Sequence, residues 1–132
     1  MKLVRALVIC MFVGAGCASS YDLRKGERSP FGAGVAVRPV KPGLFAINVQ
    51  MSAMPAPDHA GAIAQWRQLA SEACLGRTFE EASIQPGVTE LTGPLFGLVP
   101  YKVATRYGYA ICEGAQLTRS ELDGLRGGEY YE

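Results

Sequence analysis

Apolar residues recur at every second position through Val35 and Val37, and again through Phe45, Ile47, Val49 and Met51. A period of two belongs to strands with one buried face. Lys41-Pro42-Gly43 separates the two runs, so 32–40 and 44–52 are expected to form a β-hairpin. Pro39 has no N–H to give to a ladder, which places the first strand at a sheet edge or ends it there.

Past Met54-Pro55-Ala56-Pro57 the period changes. Ile63, Trp66, Leu69 or Ala70, Ala73 and Cys74 fall at three- and four-residue steps, the spacing of an amphipathic helix lying on a sheet. Asp58 is its expected N-cap, Leu75 its expected last residue, and Gly76 the left-handed residue that closes it. Thr78 to Ile84 reads as a short strand. Gln85 to Pro100 contains Pro86-Gly87, Gly93-Pro94 and Pro100 and is expected to be a loop. Leu91, Leu95, Phe96, Leu98 and Val99 make that loop apolar, either as a flap over the core or as an exposed lip for a partner or lipid.

Tyr101 to Cys112 carries the clearest strand pattern. Tyr101, Val103, Thr105, Tyr107, Tyr109 and Ile111 share one face, and Lys102, Ala104, Arg106, Gly108, Ala110 and Cys112 the other. Thr118 and Glu121 have the spacing of a capping box for a short helix over Arg119 to Arg126. Gly127-Gly128 stops it, and 127–132 is expected to be a mobile tail. The order hairpin, helix, strand, loop, strand, short helix predicts an α+β domain over 32–126. Its antiparallel or mixed sheet has about four strands, with one main helix on a face and a short C-terminal helix.

The first residues follow another logic. Lys2 and Arg5 precede an unbroken apolar run from Ala6 to Val13, and the small residues Gly14-Ala15-Gly16 stand before Cys17. That pattern is a secretion signal, and its apolar stretch is well short of the roughly 20 residues that cross a bilayer. Gly14-Ala15-Gly16-Cys17 resembles the lipobox of bacterial membrane lipoproteins, with Gly14 where a branched residue is usual. The resemblance implies removal of residues 1–16, a lipid on Cys17, and anchorage in the cell envelope. Ala18 after the cysteine, rather than Asp, points by the same resemblance to the periplasmic leaflet of the outer membrane. Cleavage near Ala18 or Ser20 is the alternative and would release the protein. Residues 17–31, polar and charged after Cys17, are expected to be a flexible tether.

Composition narrows the chemistry. The 132 residues are 48% hydrophobic and 19% charged, with a formal net charge of +1, so one packed domain is expected and a nucleic-acid partner is not. Loss of Lys2 and Arg5 with the signal makes the charge slightly negative. Of the four cysteines, Cys10 lies in the apolar run and Cys17 in the lipobox. Cys74 and Cys112 remain and are expected to pair in an oxidising compartment, with two buried thiols as the alternative. His59, the sole histidine, lacks neighbouring ligands for a metal, and Glu80 and Glu81 point to opposite sides of a strand. No nucleophile motif is present, and no cofactor is expected.

Tyr107 and Tyr109 admit two readings: packing beneath the helix around Trp66, or forming with Arg106 a surface that grips a sugar, peptide or envelope partner. Leu95, Phe96 and Leu98 complete that candidate interface. The leading expectation is a non-catalytic envelope lipoprotein acting through protein contacts, as a structural component, assembly accessory or sensor. The alternative is a periplasmic module for a small ligand or glycan, with a small hydrolase third.

Overall fold

The computed structural model describes residues 22–27, 32–91 and 100–128. Strands β1 (Gly34–Lys41), β2 (Leu44–Gln50), β3 (Phe79–Leu91) and β4 (Tyr101–Cys112) form one antiparallel sheet in the order β1-β2-β4-β3. Helix α1 (His59–Ala73) packs on one face, and helix α2 (Arg119–Arg126) is the short C-terminal helix. The domain is α+β, as the sequence pattern predicts.

The two runs of alternating apolar residues bury one face. Ile47, Val49 and Ala110 meet Trp66 and Ala70 of α1, with Val35, Val37, Phe45 and Met51 packed around them. Trp66 is fully buried and its indole N–H donates to the Ile47 carbonyl at 3.2 Å, so the one polar atom of the largest core side chain is satisfied. On the opposite face Leu44, Ala46, Ala82, Tyr109 and Ile111 pack under Leu125 of α2, flanked by Leu117 and Leu122. Both faces of the sheet are therefore covered where β2 meets the end of β4.

The helix termini follow local chemistry. Asp58 accepts from the Gly61 N–H at 2.8 Å, and Thr118 and Glu121 form the reciprocal capping box. At the end of α1 the left-handed position falls on Leu75, at φ 56°, one residue before the expected Gly76, which is also left-handed at φ 75°. The Gly76 N–H donates to the Ser71 carbonyl and the Leu75 N–H to that of Glu72, a Schellman closure with leucine where glycine is usual.

Three expectations are corrected. First, 85–91 is not loop: β3 runs through Pro86 and Gly87 to Leu91, paired with β4. β3 is an edge strand, where proline is tolerated, and its register shifts between Ala82 and Gln85 around Ser83 at φ 50°. Second, part of the expected tether is folded: Leu23–Lys25 form a 3-10 turn, and Asp22 bridges Val35 beside β1. Gly34 makes this possible, because a side chain there would collide with Leu23. Third, the tyrosines do not lie beneath α1; Tyr107 and Tyr109 belong to the opposite face, with α2.

Candidate functional site

Alternation along the hairpin decides what lies on the face away from α1. Val35, Val37, Ile47 and Val49 point to the helix, so Ala36, Arg38, Ala46 and Asn48 point away from it. Antiparallel register sets these residues in rows. Ala36 pairs with Asn48, which pairs with Tyr107, while Arg38 pairs with Ala46, which pairs with Tyr109. Two alanines among longer neighbours leave a depression, and α2 covers only the far end of this face.

Leu23 and Arg24 close the depression from the side. The resulting cleft of about 250 Å³ is lined by Leu23, Arg24, Ala36, Arg38, Ala46, Asn48 and Tyr107. Its polar lining residues are Arg24, Arg38, Asn48 and Tyr107, and among the described residues no carboxylate lines it. Arg24 is held in place: its Nη1 donates to the Val37 carbonyl at 3.0 Å, and its Nε lies 3.6 Å from Asp22. The Tyr107 hydroxyl donates to that of Tyr109 at 3.2 Å and is also in hydrogen-bonding contact with Arg38. Burial, reinforced by Tyr109, pushes the Tyr107 phenol up to about 12, so it remains a neutral hydrogen-bonding group at physiological pH.

The predicted site residues separate. Cys17, Leu95, Phe96 and Leu98 lie outside the described residues. Cys74 and Cys112 are joined by a disulfide, with Cα atoms 5.4 Å apart, linking the C-cap of α1 to the end of β4. Tyr107 lines the cleft, whereas Tyr109 is fully buried beside it and offers no surface. Arg106 does not join them. It lies on the α1 face, where its Nη2 donates to Glu81 at 2.7 Å and its guanidinium covers Trp66. Successive residues of a strand face opposite ways, so Arg106 could not share a surface with both tyrosines.

The neighbouring carboxylates Glu80 and Glu81 of β3 are both engaged in ion pairs. Glu80 accepts two bonds from Arg126, and Glu81 bridges Arg67 and Arg106. His59 is exposed in the first turn of α1. Among the described residues no three His, Cys, Asp or Glu side chains cluster as metal ligands would, and no helix is long and apolar enough to cross a membrane.

Arg38 and Asn48 are polar cleft residues that sequence reasoning missed. The alternation that assigned Val35 and Val37 to the core carried a usable signal for Arg38, since it places Ala36 and Arg38 together on the other face. No family model, curated protein or solved structure matches this chain.

Proposed function

We propose that this chain is a lipid-anchored protein of the bacterial envelope that acts by binding rather than by catalysis, with the cleft beside Arg38 as its binding surface. The observation that carries this reading is the cleft itself: Arg38, Asn48 and Tyr107 line it beside the small apolar residues Ala36 and Ala46, and among the described residues no carboxylate does. Gly14-Ala15-Gly16-Cys17 supports the anchor, and a disulfide suits an oxidising compartment. Of the two binding roles expected from sequence, ligand recognition is the one we favour over a broad protein contact, because polar side chains line a concave depression.

Two measurements test this. Mass spectrometry of the N-terminal peptide should find Cys17 carrying acyl chains, with wild type in the membrane fraction and Cys17→Ser released from it. A photoreactive residue replacing Asn48 should form adducts in intact cells that one replacing exposed Gln68 on α1 does not. Equal labelling from both positions would remove the cleft as the binding surface.

A further inference from the structure

We infer that the cleft binds the phosphate of an anionic phospholipid headgroup in the membrane that carries the protein's own anchor. The inference rests on the lipid-anchor reading for where the cleft sits, and on the cleft's residues for what it takes. Asp22 is fixed by its bridge to Val35, and Leu23 and Arg24 line the cleft. Cys17 precedes Asp22 by five residues, a stretch that reaches at most about 18 Å when fully extended. A tether of the fifteen residues expected from sequence would let the domain roam. The folded turn instead holds the edge of β1 and the mouth of the cleft close to the lipid surface.

The lining suits this occupant. Arg38 brings a guanidinium, the group whose planar fork matches a phosphate, and Asn48 and Tyr107 add an amide and a phenol; Arg24, whose guanidinium bonds the Val37 carbonyl and lies beside Asp22, adds charge at the edge. Leu23, Ala36 and Ala46 give an apolar floor for the glycerol carbons. Among the described residues the carboxylates on the adjoining turn are Asp22, which offsets part of the charge of Arg24, and Glu27, which accepts from the Asp22 N–H. Lys25, exposed on the same turn, adds a cation facing solvent, where an anionic surface attracts it.

The test uses the full mature chain with Cys17→Ser, so that no attached lipid drives binding. Sedimentation with phosphatidylcholine vesicles, with and without phosphatidylglycerol, should show binding only when the anionic lipid is present. Arg24→Gln/Arg38→Gln should weaken it roughly tenfold to thirtyfold. Arg119→Gln, at the start of α2 outside the cleft, should weaken it less than Arg38→Gln alone. Near-ultraviolet circular dichroism and an intact disulfide establish that each variant is folded. Equal losses for Arg119→Gln and Arg38→Gln would mean diffuse charge attraction and overturn the site. Saturable binding of inorganic phosphate without any gain on phosphatidylglycerol vesicles would assign the cleft to a soluble anion and overturn the lipid. Because the test chain carries no lipid, the two failures are distinguishable: a native Cys17 found unacylated would overturn the anchor and the placing of the cleft at that membrane, while vesicle binding that does not depend on the arginines would overturn the headgroup site and leave the anchor standing.

Discussion

The guanidinium of Arg106 lies over the indole of Trp66, 5.6 Å from the ring centroid, while its Nη2 donates to Glu81 at 2.7 Å. A cation from β4, an aromatic from α1 and a carboxylate from β3 thus meet on one face of the sheet. Arg67 of α1 reaches the other oxygen of Glu81 at 2.5 Å. The Arg106 side chain is only 12% exposed, and its buried Nε has no hydrogen-bond partner among the described residues. Removing the carboxylate would leave a nearly buried cation opposed only by a ring. Glu81→Ala is therefore expected to destabilise the domain by about 2–4 kcal/mol in urea denaturation. Arg106→Met keeps the contact with Trp66 and removes the charge, so its effect should stay within about 1 kcal/mol. A Glu81→Ala loss no larger than that of Arg106→Met would show that the pair does not tie α1 to the sheet.

The disulfide between Cys74 and Cys112 closes a loop across 38 residues of sequence. Loop-closure entropy gives a link of that length about 4 kcal/mol of stabilisation. Cys74→Ala/Cys112→Ala should lower stability by about this amount, less whatever the two methyl groups recover in packing. Alkylation under native, unreduced conditions should label neither residue, since both are bonded and buried.

Leu75 combines a left-handed φ of 56° with 82% exposure. Little burial is lost on replacing it, while a β-carbon in that conformation costs about 1–2 kcal/mol. Leu75→Gly is expected to raise the thermal midpoint, by about 1 kcal/mol in stability, despite shortening an apolar side chain. Leu75→Ala should change little, because alanine has the same backbone penalty. A Leu75→Gly variant less stable than wild type would refute this account of the helix end.

Glu121 is held down to about 2 by its bond from Lys41 and by the Thr118 N–H. Its unfolded value is the ordinary 4.5, so the folded state favours the ionised form. The stabilisation is complete above that value and is lost as pH falls towards about 2. Glu80, lowered by its bond from Arg126, acts in the same direction. Denaturation midpoints should fall through this acid window, and Lys41→Met should make the fall shallower. Carboxyl titration by NMR reads Glu121 directly.

Local signals carried much of this fold. Asp58 before α1, the Thr118 and Glu121 pair before α2, and Pro42-Gly43 between β1 and β2 each act within a few residues, and each does what its chemistry dictates. The Cys74 to Cys112 pairing was legible by elimination once Cys10 and Cys17 were set aside. Other features depend on distant neighbours. Pro86 reads as a loop residue unless β3 is known to lie at an edge, which only the completed sheet decides. Alternation grouped Tyr107 with Tyr109 but could not say which face α1 would cover. The cleft was least legible, because Ala36, Asn48 and Tyr107 come together only through the pairing of three strands.

The strand order β1-β2-β4-β3 has a consequence for how the chain acquires its shape. β4 pairs with both β2 and β3, which do not touch each other in the sheet. A chain emerging N-terminus first, from a ribosome or through a membrane, would hold the β1 and β2 hairpin and α1 while β3 waited for its partner. Isolated hairpins are marginal in water. Cooperative folding must therefore await the last strand, and a chain truncated before Tyr101 should remain sensitive to proteases along its whole length.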